Sequence, residues 1–180
     1  MPKKPLPKLA LDTTAAIYFL PGARTDANAS RRRLIDSLIL EMKYEFVIPS
    51  PVLAEILAPI PPENRDNVVE EIHHNFCVLD FDSKAAEMAV RIYRTPEQIA
   101  SKQKETKARV KYDEQIIGTC IRWGIEGLCT FDGKQAKRYN ALAGEIEGFN
   151  GHADNPQYFI DAQLLTWNDG KQTNEKVGEE

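Results

Sequence analysis

One acidic residue lies where an ionised side chain needs an explanation. Asp113 is followed at three, four, seven and eight residues by Ile116, Ile117, Cys120 and Ile121. At helical spacing all five share one face, and that face is otherwise apolar. An ionised aspartate at the edge of a core-facing surface is costly unless something compensates its charge. The spacing therefore points to a functional carboxylate at the edge of a buried helix.

Three further acids flank apolar segments. Asp12 follows the run Lys8–Leu11, and Asp132 follows the run 127–131, so both lie at the C-terminal tips of predicted buried strands. Glu55 lies beside the apolar arc of a helix that follows another strand. Taken alone, Asp12 is explained about equally well as a helix N-cap, and Glu55 is better explained as a solvated surface residue.

If these four acids converge, they form a site for a hard cation. Two ionised carboxylates about 4 Å apart repel by about 4 kcal/mol at an effective dielectric constant of about 20. Such a cluster must bind cations or take up protons. Oxygen ligands select Mg²⁺ or Mn²⁺, and either ion can activate water for hydrolysis of a phosphodiester.

The pattern along the chain predicts the elements that would position these acids. Short apolar runs predict strands at 8–11, 46–48, 77–79 and 127–131, with one more strand within 145–149 or 158–165. Helical spacing predicts helices over 30–43, 63–75, 97–108 and 134–142, and further helices that begin after Asp12, after Asp82 and at about Asp113. One more helix is predicted from its start signal, with Ser50 as the N-cap and Pro51 as the first helical residue.

Alternating strands and helices predict an α/β fold with a mainly parallel sheet. In such sheets, sites form beyond the carboxyl ends of the strands, where Asp12 and Asp132 would lie. We expect residues 1–167 to form a single domain, with a C-terminal extension from about residue 144. The polar segment 168–180 has no apolar pattern, so we expect it to be a disordered tail.

Composition excludes several classes of protein. The net charge is −4, with 42% hydrophobic and 28% charged residues, which is ordinary for a soluble globular domain. No apolar run is long enough to span a membrane, and the N-terminus does not resemble a signal peptide, so we expect a cytoplasmic location. The three cysteines lie in apolar stretches without a CxxC pair, so we expect buried, reduced thiols. The adjacent His73 and His74 are expected at the surface.

Basic residues cluster near the suspected site. The segment 102–111 is the densest basic stretch in the chain, and Arg31, Arg32 and Arg33 form a triplet elsewhere. Such runs are either solvated faces or contacts for a nucleic-acid backbone. The candidate contacts close to the acids are Lys107, Arg109, Lys111, Lys134, Lys137 and Arg138.

Three segments together resemble the PIN-domain ribonucleases. They read LALDTTAAIYFL, then PSPVLAEIL, then KYDEQIIGTCIRWGIEGLCTFDGK, and the likeness covers about residues 8–139. The pattern is most similar to the VapC-type toxins of toxin–antitoxin systems. The resemblance implies a three-layer fold, with a short central sheet flanked by helices. It also implies an endoribonuclease that uses Mg²⁺ or Mn²⁺, forms a homodimer and, as a toxin, is inhibited by an antitoxin protein.

The resemblance also assigns roles to individual residues. Asp12, Glu55, Asp113 and Asp132 match the four metal-binding, catalytic acids. Thr130 matches the small polar residue of a T-x-D arrangement, while Thr13 or Thr14 would support the site from the first helix. The loop at 22–31, the helix at 96–109 and the segment after 144 make the chain larger than compact toxins. A housekeeping or phage-borne role is therefore an alternative to a toxin.

Two other functions compete with a nuclease. A catalytically inactive PIN-like module would bind RNA or protein, with its acids dispersed or paired with basic residues. A phosphatase of the haloacid-dehalogenase type also ends a strand with aspartate. That chemistry needs a second acid two residues later, where this chain has Thr14.

Overall fold

The computed structural model describes residues 5–20, 29–91 and 107–160, and of residues 107–111 only the helical backbone. Five strands lie within these ranges: β1 (Lys8–Leu11), β2 (Glu45–Pro49), β3 (Cys77–Leu79), β4 (Gly127–Cys129) and β5 (His152–Asp154). The helices are α1 (Thr13–Ala16, continued by a 3₁₀ turn at Ile17–Phe19), α2 (Ala29–Leu40), α3 (Ser50–Leu57), α4 (Pro62–Asn75), α5 (Ser83–Arg91), α6 (Lys107–Arg122), α7 (Gly133–Ala143) and α8 (Pro156–Phe159).

The strands form one parallel sheet in the order β3-β2-β1-β4-β5, as the alternation predicts, and helices flank it. β1 lies at the centre, and its residues Leu9, Ala10 and Leu11 are fully buried. The chain leaves β1 toward β2 and later crosses to β4 on the other side. The carboxyl ends of β1 and β4 therefore form the point where strand order reverses, which is where parallel sheets place their clefts.

Two helices beside the sheet approach each other closely. A Cβ built on Gly118 of α6 would lie 2.5 Å from the Ala85 carbonyl oxygen and 2.8 Å from the Ala89 nitrogen of α5. Only glycine leaves room for this backbone contact. The contact holds α6 against α5, and α6 is the helix that carries Asp113.

The predicted N-cap at Ser50 is wrong. Pro49 is the N-cap, and Ser50 is the first helical residue of α3. β2 runs directly into α3, so no residue remains between them to serve as a side-chain cap. The Ser50 hydroxyl instead accepts a hydrogen bond from the Phe81 N–H at 3.0 Å, which ties α3 to the segment after β3.

The predicted start of the helix that carries Asp113 is also wrong. α6 begins at Lys107, so Asp113 lies in its second turn rather than at its first residue. No glycine or proline occurs between Lys107 and Asp113, so nothing in the sequence interrupts the helix there. Of the separate helix predicted over 97–108, the part up to residue 106 lies outside the described residues, as do residues 21–28 and 161–180.

The strand that follows β4 in the described residues lies in neither predicted window, and residues 161–165 of the second window lie outside the described residues. β5 is His152–Asp154, whereas residues 145–149 form turns and residues 158–160 end α8. β5 has a single buried residue, Ala153, and therefore no apolar run to detect. The Asn140 side chain stabilises it, accepting from the Ala153 N–H at 2.6 Å and donating to the Ala153 carbonyl at 3.0 Å.

Two of the three cysteines behave as expected. Cys120 and Cys129 are buried and free, and burial raises the pKa of the Cys129 thiol. Cys77 is also free but exposed, so the prediction for it is wrong, because it begins the edge strand β3. His73 and His74 are exposed, as predicted. None of the helices that the structure describes is long and apolar enough to cross a membrane.

Candidate active site

A cleft of about 210 Å³ lies at the carboxyl edge of the sheet, beside the reversal of strand order. All four acids predicted from the sequence line it, together with two predicted threonines and two residues that were not predicted. The lining residues are Asp12, Thr13, Thr14, Glu55, Asp113, Ile116, Asp132 and Gln135.

Asp12 is the most deeply buried of the four acids, with 2% of its surface exposed. Its backbone N–H donates to the Cys129 carbonyl at 3.1 Å, which joins the ends of β1 and β4. Its carboxylate accepts from the Ala15 N–H at 2.8 Å and so caps α1. Asp12 is therefore both the predicted N-cap and a wall of the cleft, and the two interpretations do not exclude each other.

Two threonine hydroxyls hold the Asp12 carboxylate. Thr14 Oγ1 lies 2.8 Å from both carboxylate oxygens and accepts from the Phe131 N–H at 2.9 Å. Thr130 Oγ1 donates to Asp12 Oδ2 at 2.5 Å and accepts from the Asp132 N–H at 2.8 Å. Both predicted supporting residues thus link the segment after β1 to the segment after β4.

The environment of Asp12 favours its protonated form. Burial raises the pKa of Asp12 from 3.8 to about 7 and outweighs the hydrogen bonds from Thr130, Thr14 and the Ala15 N–H, which lower it. The nearby Asp132 carboxylate raises the pKa slightly further. A buried carboxyl group in this state needs either a proton or a cation.

The other three acids reach the cleft from three different helices or helix ends. Glu55 of α3 accepts a hydrogen bond from the Thr13 hydroxyl. Asp132 caps α7, accepting from the Lys134 N–H at 2.8 Å and the Gln135 N–H at 3.3 Å. Each of these contacts uses one oxygen of a carboxylate group, which has two oxygens and can accept several hydrogen bonds.

Asp113 of α6 is paired with a cation of the same chain. Arg138 Nη1 donates to Asp113 Oδ2 at 3.0 Å, and the two side chains are only 18% and 13% exposed. The sequence predicts Arg138 as a contact for RNA from its charge alone. The structure places it against one of the four acids.

Two buried polar residues near the site were not predicted. Gln135 is 1% exposed, and its Oε1 lies 3.2 Å from Thr130 Oγ1, while its Nε2 has no hydrogen-bond partner among the described residues. Glu114 is 2% exposed. Helical spacing could have found both, since Gln135 precedes the buried Tyr139 by four residues and Glu114 precedes the buried Ile117 by three.

The other basic residues that were predicted to contact RNA lie in different parts of the structure. Lys134 and Lys137 are exposed on α7, the helix that Asp132 caps. The side chains of Lys107, Arg109 and Lys111 lie outside the described residues. The Arg31 guanidinium lies 5.0 Å from the centre of the Phe131 ring, which is the residue between Thr130 and Asp132. Positive charge therefore lies on α2 and α7 near the cleft.

The side chains that line the cleft suit a hard divalent cation by their chemistry. They supply carboxylate and hydroxyl oxygens, the ligands that Mg²⁺ and Mn²⁺ prefer. Among the residues that the structure describes, however, no group of three His, Cys, Asp or Glu side chains is arranged to hold a metal ion. Binding of an ion would require the carboxylates to exchange some of their present partners.

Comparison with known proteins places this fold in a family. No match is found among curated protein sequences. A solved structure, the crystal structure of VapBC2 from Rickettsia felis bound to a DNA fragment from their promoter, is 18% identical with a TM-score of 0.50. The match covers 82% of this chain and 97% of that chain, and it supports the fold alone. The sequence model of the PIN domain matches residues 9–141, which include all four acids, so the chain belongs to the PIN-domain family of nucleases.

Proposed function

We propose that this protein is an Mg²⁺- or Mn²⁺-dependent endoribonuclease and the toxin of a toxin–antitoxin pair. The observation that carries the proposal is the convergence of Asp12, Glu55, Asp113 and Asp132 on one cleft at the carboxyl edge of the sheet. A bound divalent ion would activate water and neutralise charge that develops on the scissile phosphate.

The side chains around the cleft would orient the metal-binding carboxylates and bind the RNA backbone. The hydroxyls of Thr14 and Thr130 hold the Asp12 carboxylate in one orientation, so that its oxygens are already placed to bind an ion. The capping bonds to Asp132 do the same at the end of β4. Lys134 and Lys137, exposed on the next helix, would hold phosphates on either side of the cleavage site.

The test of the chemistry is cleavage of single-stranded RNA by purified protein with Mg²⁺, with Mn²⁺ and with excess chelator. We expect the wild type to cut only with metal, and Asp12→Asn and Asp113→Asn to lose at least a hundredfold in rate. Asp66→Asn is the matched control, because Asp66 is exposed on α4 and does not line the cleft. Full activity in chelator, or in a folded Asp113→Asn protein, would refute the proposal.

We propose an antitoxin protein as a partner, which the structural likeness to a VapBC complex supports. From the sequence resemblance to VapC-type toxins we also propose an RNA substrate, a homodimer and a cytoplasmic location. Expression with and without the neighbouring gene product tests the toxin role. Growth arrest that requires Asp12 and that the neighbour relieves is expected. Arrest that persists in Asp12→Asn would argue against it.

A second function also has an observation in its favour. The pairing of Arg138 with Asp113 and the lack of a ready metal geometry among the described residues are what an inactive PIN-like binding module would show. The two functions differ in one measurement. A binding module would bind RNA or protein equally well after Asp12→Asn and would show no metal-dependent cleavage.

A further inference from the structure

Arg138 places a positive charge against Asp113, one of the four acids that line the proposed divalent-cation site. It lies on α7, its guanidinium is 3.0 Å from Asp113, and less than a fifth of its side chain is exposed. An arginine is rarely this buried unless its charge is paired, and here the partner is an acid of the proposed site. The pair connects α6 and α7 across 25 residues of sequence.

We propose that Arg138 is an exchangeable counter-ion for this site. It neutralises Asp113 before a divalent ion binds, gives up that carboxylate to the ion, and then contacts a phosphate of the RNA. The proposal rests on the proposed function, because it assumes that the cleft binds a divalent ion and RNA. In this proposal the Arg138 guanidinium competes with the metal ion for Asp113, so the protein binds the ion more weakly than the four acids would without the arginine.

The physical reason is charge. An ion that binds Asp113 would lie close to the arginine, and two cations in a partly buried site repel each other strongly, which favours release of the arginine from the carboxylate. Arginine is suited to the second role, because its planar guanidinium has five N–H donors that match phosphate oxygens. A divalent ion on Asp113 would therefore turn an ion pair within the protein into a substrate contact.

A purely structural role for the same ion pair predicts the opposite result. If Arg138 only ties α7 to α6, its loss would loosen Asp113 and weaken metal binding. If it competes with the metal, its loss would strengthen metal binding. The sign of the change in affinity therefore separates the two roles.

The experiment is calorimetric titration of Mn²⁺ into the metal-free full-length protein. Arg138→Gln is expected to bind Mn²⁺ at least tenfold more tightly than the wild type. Arg138→Lys, which keeps the charge, is expected to stay within about threefold. Lys137→Gln is the matched control, because it removes one exposed charge from the adjacent position of α7. We expect less than a twofold change for it.

Two further readouts complete the test. In chelator, Arg138→Gln should melt at a lower temperature than the wild type because Asp113 loses this ion pair, and Mn²⁺ should raise its melting temperature more. At saturating Mn²⁺, Arg138→Gln should have a higher KM for RNA than the wild type. The KM of Arg138→Lys should lie between the two, because lysine keeps a positive charge for the phosphate.

The outcomes separate this inference from the function on which it rests. Wild-type protein that binds no Mn²⁺ would overturn both. Wild-type protein that binds Mn²⁺, with unchanged or weaker binding by Arg138→Gln, would overturn the inference alone. If Arg138→Gln does not fold, Mn²⁺ binding by Arg138→Lys that is weaker than that of the wild type by more than about threefold would overturn it.

Discussion

Replacement of Asp12 by asparagine should make the metal-free protein more stable at high pH relative to the wild type. Asp12 is 2% exposed, and burial raises its pKa to about 7, compared with about 3.9 in an unfolded chain. Between these values the folded state binds a proton that the unfolded state has released. Stability from this group is therefore fully present below about pH 4 and is lost as the pH rises through 7.

The difference of about three pKa units corresponds to about 4 kcal/mol in total, of which about 2–3 kcal/mol falls between pH 5 and pH 8. An asparagine at this position would have no such pH dependence. It would keep one oxygen to accept from the Ala15 N–H and lose an acceptor for the Thr130 hydroxyl, at a constant cost of about 1 kcal/mol. The stability of Asp12→Asn relative to the wild type should thus rise by about 2–3 kcal/mol from pH 5 to pH 8.

Urea unfolding in chelator at several pH values measures this difference directly. Asp66→Asn, at an exposed position on α4, should differ from the wild type by less than about 0.5 kcal/mol at every pH. A difference between Asp12→Asn and the wild type that does not change with pH would refute the argument. So would a variant that becomes relatively less stable at pH 8.

Two further substitutions test the supports of the site. Thr130→Val removes the hydroxyl that donates to Asp12 and accepts from the partly buried Asp132 N–H, so the free energy of unfolding should fall by about 1–3 kcal/mol in urea titration, and Thr130→Ser should restore most of it. Gly118→Ala should cost about 1–3 kcal/mol by the same measurement, because the new methyl group would meet the Ala85 carbonyl. Gly133→Ala, where an added Cβ meets no atom within 4 Å, should cost much less, and equal losses would contradict the packing argument.

The sequence predicted the centre of the fold better than its edge. β1 and β4 are short apolar runs followed by acids, and each signal is local, so both strands could be found from the residues alone. The predicted end of β4 at residue 131 is wrong, because the strand ends at Cys129 and Asp132 follows two further residues that are not in the strand. β5 has one buried residue and depends on the Asn140 side chain, which no local pattern reveals. Cys77 lies in an apolar run but at an edge strand, and strand order cannot be read from a single run.

Within the site, the residue types were predictable and their partners were not. The alternatives for Asp12 could not be separated from sequence because one side chain fills both roles, as cap of α1 and wall of the cleft. The pairing of Arg138 with Asp113 depends on how α6 and α7 pack, which spacing along one helix does not determine. Gln135 follows the apolar spacing of α7, but its contact with Thr130 comes from a neighbouring strand end.

Without an ion, the site compensates its carboxylates in two chemically different ways. Glu55 and Asp132 accept hydrogen bonds from a threonine hydroxyl and from helix N–H groups, and these bonds can persist beside a cation because each carboxylate has two oxygens. Asp12 favours a proton and Asp113 is paired with an arginine, and a divalent ion competes with both because each places positive charge at the carboxylate. If the proposed function holds, the observed affinity for the metal is reduced by the cost of displacing the proton from Asp12. The affinity should therefore rise as the pH increases through about 7 and Asp12 loses its proton.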